Sequence, residues 1–136
     1  MGLLIDSSVL VAAERGRLRL QDVLTGSEDE SVAISVITAS EMLHGIQRAK
    51  TVDQASKRQM FVSFILDLFP IIPIDLEVAH HHARIWAELQ VRSEMIGAYD
   101  LLIAASALAF GYKVMTLNVD EFTRVAGLQV LSPTHE

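Results

Sequence analysis

Gly2-Leu3-Leu4-Ile5-Asp6-Ser7-Ser8-Val9-Leu10 is the stretch on which the fold turns. An apolar run leads straight into an aspartate, with no polar alternation. This predicts a strand buried on both faces, as in a parallel sheet, because a strand with one wet face alternates apolar and polar residues. Ser7 and Ser8 then open an apolar segment, Val9 to Ala13, which predicts a short helix. Asp6 therefore falls at the carboxyl end of the first strand, the edge at which open α/β sheets bind ligands. Aspartate is also a preferred helix N-cap, so capping is a second role open to Asp6.

Outward from this start, strands and helices alternate. Leu18–Leu24 predicts a second short helix ending at Gly26, and the β-branched run Ser31–Ser35 predicts strand two. Thr38-Ala39-Ser40-Glu41 has the S/T-x-x-E pattern of a capping box and predicts a helix start there, with Glu41 in its first turn. Val52–Phe69 reads as a long amphipathic helix with Met60, Phe61, Phe64, Ile65 and Leu68 on its apolar side, stopped by Pro70. Ile71–Ile74 contains Pro73 and predicts an edge strand. Asp75 is placed to cap a helix over Leu76–Val91, and a helix from about Ala98 to Phe110 is closed by Gly111. Lys113–Leu117 predicts a strand, Asp120–Ala126 a short helix and Leu128–Leu131 a last strand. The alternation predicts an α/β fold: one domain over 1–136, a three-layer α/β/α sandwich with a mostly parallel central sheet.

The 136 residues, 51% of them apolar, suffice for a real core, and the absence of cysteine excludes disulfides and thiolate metal sites. No basic segment precedes Leu3, and the most apolar stretch, Leu101 to Phe110, is too short to cross a bilayer. A cytoplasmic protein without a membrane partner is expected. The net charge of −6 argues against coating nucleic acid through bulk positive charge, but not against a nuclease whose metal ions supply that charge. Arg15, Arg17 and Arg19 form one basic group and Arg48, Lys50, Lys57 and Arg58 another; either suits phosphate contact or a solvated helix face.

Three carboxylates stand in apolar or small surroundings: Asp6, Glu41 and Asp100. The helix carrying Asp100 is apolar around nearly its whole circumference, so it should be central. A lone carboxylate near its start is costly to bury unless paired or bound to metal. In this topology helix starts and strand carboxyl ends share one edge, so the three are expected to converge there. Clustered carboxylates call for a hard divalent cation such as Mg²⁺ or Mn²⁺, which can polarise a phosphate and activate water. Local roles compete: Glu41 as the last member of its capping box, Asp100 as a charge favoured at a helix N-terminus. Consecutive His80, His81 and His82 point a third of a turn apart on a helix and do not readily share an ion. Trp86 and Tyr99 are expected to pack rather than to stack on bases. No phosphate-binding glycine loop and no G-x-S-x-G elbow occurs.

In order along the chain, Leu3-Leu4-Ile5-Asp6-Ser7-Ser8, Ser40-Glu41-Met42-Leu43-His44-Gly45, Tyr99-Asp100-Leu101-Leu102-Ile103-Ala104-Ala105-Ser106-Ala107-Leu108, and Thr116-Leu117-Asn118 with Phe122 resemble a PIN-domain protein of the VapC toxin type. The resemblance spans essentially the whole chain. It implies a Mg²⁺- or Mn²⁺-dependent endoribonuclease, the toxin half of a toxin–antitoxin pair, leaving 5′-phosphate and 3′-hydroxyl ends. It further implies Asp6, Glu41 and Asp100 as acidic metal ligands, a homodimer, RNA as substrate and a small VapB-like antitoxin across the acidic site. At the fourth metal position, where many members carry Asp, this chain has Asn118, with Asp120 and Glu121 close by. Asn118-x-x-Glu121 is itself a capping-box pattern. Two other functions remain open at this point: a non-catalytic PIN-like module acting with an antitoxin, and another Mg²⁺-dependent phosphoryl-transfer protein.

Overall fold

Leu3, Leu4 and Ile5 are all fully buried, and their alternation builds two separate cores. Leu3 and Ile5 face one side with Ile34, Met115, Leu10, Met42 and Ile65. Leu4 faces the other with Ala33, Val114, Ile85, Leu89 and Ile103. The computed structural model describes residues 2–133. Its strands are β1 (Gly2–Ile5), β2 (Ser31–Ser35), β3 (Ile71–Ile72), β4 (Tyr112–Met115) and β5 (Val130–Leu131). Their order is β3-β2-β1-β4-β5, and every pairing is parallel. The helices are α1 (Ser7–Glu14), α2 (Leu20–Val23), α3 (Val36–Gln47), α4 (Val52–Leu68), α5 (Leu76–Val91), α6 (Ala98–Phe110) and α7 (Val119–Phe122). Residues of α1, α3 and α4 cover one face of the sheet, and residues of α5 and α6 the other.

The chain adds strands to one side of β1, then returns to add β4 and β5 on the other. The strand order thus reverses at β1, and the crevice beyond the carboxyl ends of β1 and β4 is the switch point of the sheet. β3 lies at the edge, as Pro73 predicts. α6 is the buried helix that its composition predicts: Leu101, Ile103, Ala104, Ala105 and Ala107 are all in the core. Gly111, at φ 71°, closes it in the left-handed conformation that glycine adopts at least cost. Asp75 caps α5 by accepting from the Val78 amide at 3.0 Å.

Several local expectations are corrected. α3 begins at Val36, not at Thr38, because the Ser35 hydroxyl takes the cap and accepts from the Ile37 amide at 3.1 Å. Thr38 is inside the helix and fully buried, so the capping box does not form and Glu41 belongs to the second turn. On α4, two neighbouring i, i+4 ridges are both apolar. The ridge that packs is Phe61, Ile65 and Phe69 with Val62, while Met60, Phe64 and Leu68 face outward at 74%, 54% and 47% exposure. β3 and β5 are shorter than predicted, β4 runs from Tyr112 and stops at Met115, and α7 covers only Val119–Phe122.

Candidate functional site

β1 delivers Asp6 to the switch point, 1% exposed. Asp6 stands at the N-cap position of α1, yet its side chain makes no capping bond. Instead Oδ2 accepts from the Ser8 hydroxyl at 2.7 Å and from the Thr116 hydroxyl, at the end of β4, at 2.8 Å. Thr116 in turn accepts from the Asn118 amide at 2.9 Å, and Ser8 accepts from the Leu117 amide at 3.0 Å. One carboxylate oxygen is therefore fixed by hydroxyls that are themselves fixed by backbone. The other, Oδ1, is buried with no hydrogen-bond partner.

α3 brings up Glu41, whose Oε1 is likewise buried without a partner. Burial raises its pKa above the usual carboxylate range, the Ser7 hydroxyl pulls it back, and the charge of Asp6 raises it further. Asp100, in the first turn of α6, is partly buried and pushed up to about 7. Burial is the main cause; the charges of Asp6, Glu121 and Glu41 add to it, as does a hydrogen bond shared with Glu121. The three carboxylates singled out in the sequence thus come within electrostatic reach of one another at one edge of the sheet.

Glu121 joins them from α7. Its Oε1 accepts from the Gly97 amide, at the start of α6, at 3.1 Å. The Asn118-x-x-Glu121 capping box does not form, because the Asn118 side chain makes no cap bond and Glu121 reaches across to α6. Further contacts tie the segment before α6 to α7: Arg124 donates to the Met95 carbonyl at 3.2 Å, and Arg92 donates to the Arg124 carbonyl. Asn118 is exposed beside the same edge and lines a shallow hollow with Leu117, Asp120 and Glu121. Ser8 and Thr116 are the contributors that sequence reasoning left without a role; Glu121, read there as the end of a capping box beside the fourth metal position, takes the Gly97 amide instead. Thr116 could have been suspected from its position just past a strand end and Ser8 from its place two residues after Asp6, but nothing local marks Glu121 as a partner of Gly97.

The donor set suits a hard divalent cation: it is all oxygen, mostly anionic, and it includes two buried carboxylate oxygens without partners. Among the described residues no three of His, Asp and Glu stand close enough to ligate one ion together. This fits the habit of Mg²⁺, which binds through one or two carboxylates and keeps several waters. The histidines at 80–82 remain outside the site; His81 Nε2 lies 3.8 Å from Glu77 on the same helix, and His82 leans on Trp86. Trp86 and Tyr99 do not pack inward as expected: they are 49% and 55% exposed. They differ because Tyr99, next to Asp100, borders a groove that opens from Glu41.

A parallel five-stranded sheet with an acidic crevice at its switch point defines a class of α/β proteins with a carboxylate site. The chain belongs to the PIN-domain family, whose model matches residues 3–128, and to the VapC group within it. It is 37% identical over 132 residues to ribonuclease VapC1 of Rickettsia felis, covering 97% of this chain and 96% of that one. The fold matches VapBC2 of Rickettsia felis bound to a promoter DNA fragment, with TM-score 0.88 and 23% identity over 97% of this chain and 98% of that one. It also matches VapBC-5 of Mycobacterium tuberculosis, a member of the VapBC family of toxin–antitoxin systems, with TM-score 0.78 and 27% identity over 96% and 97% of the two chains.

Proposed function

We propose that this protein is an endoribonuclease toxin that hydrolyses RNA phosphodiester bonds with Mg²⁺ or Mn²⁺, paired with a small VapB-like antitoxin. The observation that carries the reading is the Asp6 carboxylate. It is buried, fixed through one oxygen by two hydroxyls, and left with its other oxygen unpartnered beside Glu41. A carboxylate held this way without a cationic neighbour is built to receive a cation.

Asp6, Glu41 and Asp100 would surround the ion, one or two of them as direct ligands and the rest through its bound waters, and Asn118 would border it with a neutral oxygen where Asp would add charge. When bound, the ion supplies positive charge to the phosphoryl oxygens and acidifies water. The chain itself contributes orientation: Ser8 and Thr116 keep Asp6 from rotating, and the Glu121–Gly97 contact anchors the start of α6 that carries Asp100. The pKa of Asp100 is raised first by burial and then by like charge, so positive charge placed at this edge would favour its ionised form. No side-chain nucleophile is assigned; water attacks. The ribonuclease name of its Rickettsia relative and the toxin–antitoxin setting of the Mycobacterium neighbour support both substrate and partner class.

The test is cleavage of RNA by the isolated chain with Mg²⁺ or Mn²⁺ present. Activity is expected to vanish in EDTA and in Asp6→Asn, with products ending in 5′-phosphate. Cleavage that persists in EDTA, or products with 2′,3′-cyclic phosphate, would refute the metal mechanism.

A further inference from the structure

A groove of about 500 Å³ leaves the acidic edge between α1, α3 and the start of α6. Glu41 is one of its lining residues. His44 follows on α3 and Arg48 caps its end, three and seven residues on, so all three share one face. Seven residues of helix advance about 10 Å, long enough for a nucleotide flanking the scissile phosphate. Across the groove stands the ring of Tyr99, more than half exposed. Among the described residues that ring pairs with no other aromatic ring, and Arg48 forms no ion pair. Ser7 and Ser40 line the same space with hydroxyls.

We infer that this groove is the binding subsite for the RNA segment beside the cleaved bond: Tyr99 stacks on an unpaired base, and His44 and Arg48 hold its phosphate. The inference rests on the endoribonuclease reading and extends it to the residues that grip the substrate beside the cleaved bond. An exposed ring beside a basic helix face is how proteins grip single strands, because every base has a stackable face and every linkage a charge. The chain as a whole repels RNA at its net charge of −6, so an arginine without an ion pair in the same groove as Glu41 has a specific use. The polarity is also right. The acidic end accepts phosphate only with a divalent ion on it, whereas the Arg48 end accepts phosphate at all times.

The experiment is fluorescence anisotropy of a labelled single-stranded RNA on the full chain carrying Asp6→Asn, which leaves the substrate uncut. Tyr99→Ala is expected to weaken binding about 10- to 100-fold and Tyr99→Phe to restore it. Arg48→Gln should weaken binding to all sequences alike and reduce the slope of log K against log salt by about 0.7. Trp86→Ala, equally exposed but away from the groove, should change nothing. With the parent site intact, Tyr99→Ala should raise KM by a similar factor while kcat changes less. If the parent cleaves RNA and Tyr99→Ala and Arg48→Gln leave affinity and KM unchanged, the groove assignment is overturned and the function stands. If the variants lose only the binding of an antitoxin peptide, the groove belongs to the protein partner and the inference is equally overturned. If the parent does not cleave RNA, the functional reading fails and takes the subsite with it.

Discussion

Replacing Asp100 by asparagine is expected to make the metal-free protein more stable, and more so at high pH. The side chain keeps its shape and can still donate a hydrogen bond to Glu121, but it loses the charge that burial and the Asp6, Glu121 and Glu41 carboxylates oppose. In the unfolded chain Asp100 titrates near 3.8, in the folded chain near 7. Folding therefore favours the protonated form. Its stabilising contribution is complete below pH 4, declines as pH rises through the interval, and is lost above about 7. The interval corresponds to about 4 kcal/mol. Solvent reaches this partly buried carboxyl, so the realised effect is about 1–2 kcal/mol, or roughly 3–8 °C in melting temperature for a domain of this size. Thermal denaturation in EDTA at pH 8 should show Asp100→Asn melting above the parent by that margin, shrinking to about a third at pH 5. Glu41 also has a raised pKa, but it is common to both proteins and cancels. Excess Mg²⁺ should close or invert the gap, because only the parent retains the full ligand set. A variant that melts below the parent at pH 8, or a gain independent of pH, would refute the reasoning and make Asp100 a structural residue.

Other outcomes follow from neighbouring contacts. Mg²⁺ or Mn²⁺ should raise the melting temperature of the parent, and Asp6→Asn should abolish most of that rise, read by calorimetric scanning. Asn118→Asp adds a charged oxygen at the same edge and should tighten divalent-ion binding in titration calorimetry without altering the circular dichroism spectrum. Thr38 is fully buried and its hydroxyl has no partner, so Thr38→Val should leave urea stability unchanged or raise it by about 0.5–1 kcal/mol. Gly111→Ala forces a side chain into φ 71° and should cost about 1–2 kcal/mol in the same assay, with no effect on metal binding.

The features that were legible in the sequence are those governed by local pattern. β1 shows as an unbroken apolar run because both its faces are buried, and α6 shows as a helix without a polar side for the same reason. Asp6, Glu41 and Asp100 stand out because a carboxylate among such residues needs a purpose. What escaped depends on distant neighbours. The start of α3 was misplaced because Ser35 and Thr38 are both chemically competent caps; Ser35 wins because β2 ends there and its hydroxyl meets the Ile37 amide. The face of α4 could not be chosen from two equally apolar ridges, since the choice is made by where α3 lies. The Thr116 hydroxyl reaches Asp6 across 110 positions, and Glu121 reaches Gly97 across 24; no periodicity encodes either contact.

The choice of hydroxyls as the partners of Asp6 explains how the site keeps its charge. A lysine or arginine in place of Ser8 or Thr116 would orient the carboxylate equally well, but it would also neutralise it. Neutral donors fix the geometry of Oδ2 and leave the charge available at Oδ1. The same economy holds around the crevice: among the described residues no ion pair involves Asp6, Glu41, Asp100 or Glu121. The ion pairs that do form lie elsewhere, as between Lys113 and Glu30 at 2.7 Å. A half-buried carboxylate among like charges destabilises the fold, and the raised pKa of Asp100 reflects both burial, the larger cause, and the charges of Asp6, Glu121 and Glu41. The scaffold tolerates it because the load falls at the end of the sheet's central strand, between two fully packed cores. Adding a cation to the protein surface there, for example by Asn118→Lys, should relieve the strain and raise metal-free stability while weakening divalent-ion binding. If such a variant bound metal as well as the parent, electrostatic tension at this edge would not be what prepares the site.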